Sequence, residues 1–300
     1  MVADLDNRTQ LYTIVGLRPL PTYKKVSITK SLQIFIFMLS LSLQNKKAVV
    51  CGSTQGIGKA IAVELADLGA EVVLVARNEN ALQATLADLP TPYQQKHSYL
   101  VADFGNYEQL QTVITNFAAT QNEVHILINN TGGPAAGLAI DAEITAYVKA
   151  FEQHLVCNQI LVKNLVPLMK KSQYGRIVNI ISTSVKQPLP NLGVSNTIRG
   201  AVANWAKTLS VELAPFGITV NNVLPGATKT QRLEAIVNNK AQKTGHSTTE
   251  VSQEMIAEIP ARRFGEAQEV AAAAVFLCTP AAAYINGINL PVDGGRTACL

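Results

Sequence analysis

The glycine-rich segment Gly52-Ser53-Thr54-Gln55-Gly56-Ile57-Gly58 contains the residue types and spacing that could bind an anion. It follows an apolar run that ends at Cys51, and Ile57, Ile61 and Leu65 then recur at helical spacing. The pattern predicts a turn between a buried strand and an amphipathic helix, whose free N–H groups and positive dipole end attract phosphate. Because the spacing matches neither the Gly-x-Gly-x-x-Gly fingerprint nor a P-loop, an ordinary tight turn is equally compatible with it.

Strands and helices alternate along the chain from Lys46 onwards. Helical patterns include a long helix at about 144–170, and an irregular region is expected from 224 to about 261. Such alternation predicts one α/β domain over 45–300, with a doubly wound parallel sheet of the Rossmann type. The predicted strands are 46–51, 71–76, 97–102, 125–129, 176–181, 218–223 and 288–292.

Composition and charge exclude several classes of protein. With 48% hydrophobic residues, 300 residues are enough to bury a sizeable core. The net charge is only +4, and basic residues cluster only in pairs such as Lys46-Lys47, so no nucleic-acid partner is expected. Since the sequence has no Cys-x-x-Cys pair and no ligand-spaced histidine cluster, it predicts a cytoplasmic protein with reduced thiols and no bound metal.

Residues 1–44 differ in character from the rest of the chain. The apolar run from Leu32 to Leu43 resembles a signal sequence, but it is shorter than the roughly 20 apolar residues needed to span a bilayer. It also lacks a small-residue cleavage site, so no membrane association is expected. Met38 offers an alternative start, and residues 1–44 are therefore interpreted as a disordered extension or a mis-assigned start.

Six short motifs follow one another along the chain between Lys46 and Gly295. Taken together they resemble the short-chain dehydrogenase/reductases, in particular those similar to 3-oxoacyl-acyl-carrier-protein reductase. The resemblance implies a dinucleotide-binding domain whose substrate site lies at the carboxyl ends of the strands, under a lid at 229–258. It also implies a homotetramer or homodimer that pairs the long helices of neighbouring subunits. The motifs are 52–58, Ala102-Asp103-Phe104, Asn129-Asn130-Thr131-Gly132, Gly175-Arg176-Ile177-Val178-Asn179, Pro225-Gly226 with Thr230, and Asp293-Gly294-Gly295.

The end of the second predicted strand indicates which dinucleotide fits. In dinucleotide-binding folds an acidic residue about 20 positions after the glycines binds the ribose 2′-hydroxyl, whereas an arginine accommodates a 2′-phosphate. Here the strand is followed by Arg77 and Asn78, without a carboxylate. Because a guanidinium can bind a phosphate through paired hydrogen bonds, NADP(H) is expected. The alternative is that Arg77 is a solvated residue at the start of the next helix.

The resemblance also implies cofactor contacts after the other strands. They are Asp103 and Phe104 beside the adenine, Asn130 and Gly132 near the adenosine ribose, and Pro225, Gly226 and Thr228 at the nicotinamide.

Three of the family's four catalytic positions are changed in this chain. Alignment on the motif at 175–179 retains the serine as Ser182, whose hydroxyl could polarise a substrate carbonyl. Ser195 stands where the family has its tyrosine, and Arg199 stands where it has its lysine. His154 occupies the position of the helix asparagine.

These changes remove the usual proton donor. A tyrosine hydroxyl has a pKa of about 10, and the hydroxyl of Ser195 is far less acidic. Arg199 is one helical turn further on and could bind the cofactor ribose or stabilise an oxyanion without passing a proton. His154 is expected to have a pKa near neutrality and could therefore supply the proton through a water. The alternative is a packed or surface role, which is more common for a single histidine in a long amphipathic helix.

Two functions remain open from the sequence. The first is an NADP(H)-dependent reductase that converts a ketone or 3-oxoacyl carbonyl of a small molecule to an alcohol, with an atypical proton donor. The second is a dinucleotide-binding protein with little or no reductase activity, which acts as a sensor or partner subunit. Ser182 favours the enzyme, whereas Ser195 and Arg199 favour the alternative.

Overall fold

The computed structural model of this protein describes residues 39–299, and seven of its strands form one sheet. All neighbouring strands are parallel, in the order β3-β2-β1-β4-β5-β6-β7. In chain order they are β1 (Lys47–Cys51), β2 (Glu71–Ala76), β3 (Ser98–Val101), β4 (Ile126–Asn129), β5 (Gly175–Ile180), β6 (Ile218–Pro225) and β7 (Asn289–Val292).

The strand order reverses between β1 and β4. From β1 the chain builds β2 and β3 on one side of the sheet, and it then crosses to β4 and builds the other side. Such a reversal opens a crevice at the carboxyl ends of the two strands, where α/β proteins bind ligands. The order and the parallel pairing confirm the predicted doubly wound α/β fold.

Nine α-helices flank the sheet within residues 39–299. They are α1 (Gly56–Asp67), α2 (Glu79–Asp88), α3 (Tyr107–Thr120), α4 (Ile144–Phe151), α5 (Cys157–Ser172), α6 (Gly193–Leu213), α7 (Gln231–Thr244), α8 (Thr248–Ala257) and α9 (Ala267–Cys278).

Helices cover both faces of the sheet. Successive side chains of a strand point to opposite faces, so Val50 packs with α1, α2 and α9, whereas Val49 packs with α3, α5 and α6. Because neither face meets water, the central strands are continuous apolar runs and do not alternate between apolar and polar residues. This composition is why the strands could be recognised in the sequence.

The folded domain includes residues upstream of the expected boundary at 44/45. Leu43 is fully buried in the core beside α1, and its N–H donates to the carbonyl of Leu68 over 2.8 Å. The carbonyl of Ser40 accepts a hydrogen bond from Ala281. Residues 40–43 therefore belong to the domain and are not part of an extension. The interpretation of residues 1–38 lies outside the described residues.

The helix expected at about 144–170 contains a local change of pitch. A π-helical turn, Glu152–Val156, lies between α4 and α5 and places His154 at its centre. Single π-helical turns inside α-helices occur frequently at functional sites because the extra residue redirects a side chain. Here the turned-in side chain of His154 is buried.

The region expected to be irregular is largely helical. It forms α7 and α8, whose first turns are capped by the side chains of Thr230 and Ser247. Leu233, Val237 and Val251 form a small core between the two helices. The two helices bury only a small cluster of apolar side chains between them. A small buried face leaves a weak periodic pattern, which is why the sequence did not indicate these helices.

None of the helices between residues 39 and 299 is both long and apolar enough to cross a membrane.

Candidate functional site

The glycine-rich turn joins β1 to α1 at the point where the strand order reverses. Gly52 has φ +59°, and a Cβ at this position would lie 2.6 Å from the carbonyl oxygen of Asn130. A Cβ on Gly58 would lie only 2.1 Å from the carbonyl oxygen of Gly52. Both positions therefore require glycine, since any side chain would push the start of α1 away from β1.

The side chain of Asn130 holds this turn in place. Its Nδ2 atom donates to the carbonyl oxygens of Cys51 and Gly52, each over 3.2 Å. Asn130 directly follows β4, so the amide group ties the ends of the two strands together across the crevice. The side-chain amide of Asn130 thus supports the turn.

Within residues 39–299, no side chain caps the first turn of α1. The N-cap residue Gln55 makes no side-chain capping bond, as is also the case at the starts of α4, α5 and α6. Unpaired N–H groups and the helix dipole together form an anion-binding site. Gly132 lies next to the crevice, and no other described atom comes within 4 Å of the position of its Cβ. The turn therefore fits the pyrophosphate of a dinucleotide.

Several residues that are predicted to contact the cofactor lie just after β2 and β3. Arg77 directly follows β2 and is exposed, while Asn78 caps α2, so the guanidinium is available to a ligand. Asp103 follows β3, where it accepts a hydrogen bond from the N–H of Gly105, and Phe104 is buried beside it. Because these strands are parallel, all of these residues lie at one edge of the sheet.

The residues expected at the nicotinamide follow β6. Pro225 ends that strand, and the N–H of Gly226 donates to the carbonyl of Val292 over 2.9 Å. The hydroxyl of Thr228 donates to the carbonyl of Gly226 over 3.2 Å and is buried. Further along, Thr230 is the N-cap of α7, and a Cβ on Gly56 would lie 3.1 Å from its Cγ2 atom, so α7 begins beside the glycine-rich turn.

Two serines lie near the carboxyl end of β5. Ser182 follows β5 by two residues, and its Oγ atom accepts a hydrogen bond from the N–H of Ser184 over 3.1 Å. This bond leaves the hydroxyl proton of Ser182 available to a substrate oxygen. Ser195 lies in the first turn of α6 and is half-buried, without a hydrogen bond from its hydroxyl to any other residue in the range 39–299.

Arg199 projects from α6 towards the end of β5. Its Nη1 atom donates to the carbonyl oxygen of Ile180 over 3.2 Å, and the residue is 7% exposed. Burial lowers the pKa of Arg199 to about 10, and the nearby charge of Arg232 acts in the same direction. The guanidinium therefore remains a cation at neutral pH, as expected from the sequence.

The expectation that His154 has a pKa near neutrality is wrong. The residue is 1% exposed, and burial, with a smaller contribution from the positive charge of Arg199, lowers its pKa to about 3. One ring nitrogen, Nδ1, forms a 2.6 Å hydrogen bond with the hydroxyl of Thr131, and the other has no partner in the described structure. A neutral, enclosed imidazole is a poor proton donor to substrate, so His154 instead orients Thr131.

Sequence reasoning gave no role to Thr131, to Arg232 or to a row of asparagines that crosses the sheet. The asparagine side chains bond in series from β4 to β7, each Nδ2 donating to the next Oδ1 over 2.8 Å. Such ladders require equivalent register positions on neighbouring strands, a signal that is visible only once the strands are aligned. The row fixes the register of the strands that end at the crevice. Its members are Asn129, Asn179, Asn222 and Asn289.

A parallel sheet with an anion-binding turn at its switch point defines this chain as a nucleotide-binding α/β protein. The chain belongs to the short-chain dehydrogenase/reductase family, since the family model described as Enoyl-(Acyl carrier protein) reductase matches residues 52–297. This finding confirms the family inferred from the sequence motifs.

The similarity to three individual proteins extends over nearly the whole length of each of them. NADPH-dependent reductase BacG of Bacillus subtilis is 31% identical over 84% of this chain and 98% of its own length. The 3-oxoacyl-[acyl-carrier-protein] reductase FabG of Haemophilus influenzae is 33% identical over 84% and 98%, respectively. The crystal structure of L-sorbose reductase from Gluconobacter frateurii, complexed with NADPH and L-sorbose, has a TM-score of 0.81 and 28% identity, and covers 87% of this chain and 99% of that one.

Substitution of Gly58 tests the contact that shapes the turn. Gly58→Ala places a Cβ against the backbone carbonyl of Gly52 and should displace α1. The free energy of unfolding should fall by about 1 to 3 kcal/mol. We expect at least a tenfold weaker NADPH affinity in calorimetric titration. Gly200→Ala is the control, because no other described atom lies within 4 Å of that Cβ position. Equal affinities of both variants would contradict the proposed geometry of the turn.

The low pKa of His154 predicts a loss of stability in acid. Below about pH 6.5 the histidine of the unfolded chain is protonated, whereas the buried imidazole of the folded chain stays neutral. The free energy of unfolding therefore falls as the pH is lowered, until the folded pKa of about 3 is reached. Urea denaturation at about pH 7 and about pH 5 should show a smaller fall for His154→Gln than for the wild type. His246→Gln, which replaces an exposed histidine, is the control. An unchanged fall in His154→Gln would show that other groups are responsible.

Proposed function

We propose that this protein is an NADP(H)-dependent oxidoreductase that reduces a ketone or 3-oxoacyl-type carbonyl to an alcohol. The observation that carries the proposal is the glycine-rich turn with the uncapped start of α1, at the switch point beside Ser182. Strands β1, β4 and β5 are adjacent, so at about 4.8 Å per strand the turn and Ser182 are on the order of 10 Å apart. A dinucleotide that lies along the strand ends reaches both.

The relatives support NADP(H) as the cofactor and reduction as the reaction. BacG is named as an NADPH-dependent reductase, and L-sorbose reductase was crystallised with NADPH. In this chain, Arg77 is placed to bind the 2′-phosphate at the end of β2, and the first turn of α1 is placed to bind the pyrophosphate. When bound, the nicotinamide supplies a hydride to the carbonyl carbon.

Ser182 and Arg199 are the groups that act on the carbonyl oxygen in this proposal. The free hydroxyl proton of Ser182 binds the oxygen, and the fixed charge of Arg199 stabilises the negative charge that develops on it. Neither group gives up a proton at neutral pH, and neither does the buried His154. Solvent water therefore donates the proton that completes the alcohol. This donor is atypical for the family, whose usual tyrosine position is occupied by Ser195.

The alternative function, dinucleotide binding with little or no reductase activity, is favoured by one observation. Arg199 donates a hydrogen bond to the carbonyl of Ile180 and is buried. Its side chain is therefore less mobile than an exposed lysine and less able to assist a proton transfer. The two functions share every predicted cofactor contact and differ only in turnover.

We also propose that the protein assembles into a homodimer or homotetramer in the cytoplasm. Ile144, Val148 and Phe151 are exposed along one face of α4, at the spacing of a helix–helix contact. Cys51 and Cys157 are buried free thiols, which suits a reducing compartment.

Arg77 provides the test of cofactor choice. A charge-assisted bond between a guanidinium and a phosphate contributes about 1.5 to 3 kcal/mol, so Arg77→Ala should weaken NADPH binding about ten- to a hundredfold. NADH lacks the 2′-phosphate, and its affinity should remain nearly the same. Equal losses for the two cofactors in parallel titrations would assign Arg77 a structural role.

The two serines test the assignment of catalytic roles. Ser182→Ala removes the donor to the carbonyl oxygen and should lower kcat about a hundredfold, as loss of an oxyanion donor does in other enzymes. Ser195→Ala should have a much smaller effect, because a serine hydroxyl is a weak acid. Steady-state kinetics with a panel of ketones and acyl thioesters measures both. A larger effect at Ser195 than at Ser182 would reverse the assignment.

The combined variant Ser195→Tyr with Arg199→Lys separates the two functions. It supplies the family's own acid and tuning cation in the family's spacing. If the wild type is a working reductase, this variant should be no faster. Activity of the variant on a substrate panel to which the wild type is inert would favour the dinucleotide-binding function.

A further inference from the structure

Two arginine side chains from separate elements approach the same point in the site. Arg199 belongs to α6, and Arg232 belongs to the first turn of α7 in the lid. The position of a Cβ on Gly133, in the loop after β4, is 3.8 Å from Nη2 of Arg199 and 3.5 Å from Nη2 of Arg232. The two guanidinium groups therefore flank one small volume beside the glycine.

Neither guanidinium is neutralised by a carboxylate. Arg199 donates to the carbonyl of Ile180, and Nη2 of Arg232 donates to the carbonyl of Pro134 over 2.7 Å. The ion pairs found among residues 39–299 include neither arginine. Two cations thus face each other without a counterion in the part of the chain that is described.

The environment makes an anion between them favourable. Arg199 is 7% exposed, and its Nε atom has no hydrogen-bond partner in the described structure. Burial lowers the pKa of Arg232 as well as that of Arg199. Arg232 itself is exposed, so the poorly solvated charge is that of Arg199. Because the two charges repel each other, an oxyanion between them would gain charge-assisted hydrogen bonds from both guanidinium groups.

The position of the pair assigns this anion to the substrate. The phosphate groups of NADP(H) have other sites in the proposal, at the start of α1 and at Arg77, which follow β1 and β2. Arg199 is bonded to the carbonyl of Ile180, the last residue of β5, and Ile180 is two residues before Ser182. The guanidinium of Arg199 therefore lies on the side of the site where the carbonyl is reduced. An anion here is part of the molecule that carries the carbonyl.

We propose that Arg232 and the Nη2 atom of Arg199 bind the carboxylate of the substrate, so that the carbonyl compounds reduced by this protein are small oxo acids. The carboxylate then lies close to the carbonyl oxygen on which the charge of Arg199 also acts. The inference rests on the proposed reductase function and names its substrate class. Since Arg232 lies on the lid and Arg199 on the body of the domain, the carboxylate also links the lid to α6. A substrate without this group would leave the buried Arg199 without a charged partner, which disfavours neutral ketones.

Matched pairs of an acid and its methyl ester test the proposal. Pyruvate, acetoacetate and levulinate are compared with their methyl esters, through kcat and KM with NADPH and through calorimetric titration in the presence of NADP⁺. The wild type should prefer acids, and Arg232→Gln should raise KM for the acids about ten- to a hundredfold with little change for the esters. Arg232→Lys, which keeps the charge, should restore part of the loss.

The control variant is Arg262→Gln. Arg262 likewise donates one 2.7 Å bond to a backbone carbonyl, that of Ala257, and is exposed outside the site. It should retain the wild-type preference. A preference of the wild type for esters would overturn the substrate class but leave the reductase function in place. A rise in the NADPH dissociation constant of Arg232→Gln, with equal losses for acids and esters, would assign Arg232 to the cofactor. Binding of acids that depends on Arg232, without any turnover, would support the anion site and contradict the reductase function.

Discussion

The close approach of Gly58 to Gly52, fixed by the side chain of Asn130, is the constraint on which the rest of the site depends. The contact places the uncapped start of α1 directly over the crevice between β1 and β4. With a larger residue at either glycine, α1 would move outward, and its free N–H groups would no longer point into the crevice. The start of α7 at Thr230 also lies beside this turn.

The strands that carry the site are tied together by hydrogen bonds between side chains. From Asn129 to Asn289 the asparagine row forms a continuous series of hydrogen bonds across β4, β5, β6 and β7. In the candidate site, Arg199 and His154 each keep a buried nitrogen without a partner in the described structure. Unpaired buried groups cost stability, and a rigid frame keeps them oriented for a ligand.

The sequence predicts those features that depend on local pattern, and it fails where distant elements meet. Strands could be recognised because both faces of the sheet are buried, and Arg77 could be placed because it directly follows a strand. The pKa of His154 could not be inferred, since it depends on enclosure by a π-helical turn and on Arg199 from another helix. Likewise the hydrogen bond from Arg232 to the carbonyl of Pro134 joins residues 98 positions apart, and Arg232 lies in α7, a helix that the sequence pattern did not indicate.

The central claim is that this chain transfers hydride although the sequence predicts Ser195 at the position of the family's tyrosine. The most direct measurement uses NADPH deuterated at the transferring carbon of the nicotinamide, with mass spectrometry of the alcohol formed from a carbonyl panel that includes oxo acids. The account predicts one deuterium on the carbinol carbon of the product from the wild-type protein. Tight NADPH binding without labelled alcohol from any member of the panel would contradict it.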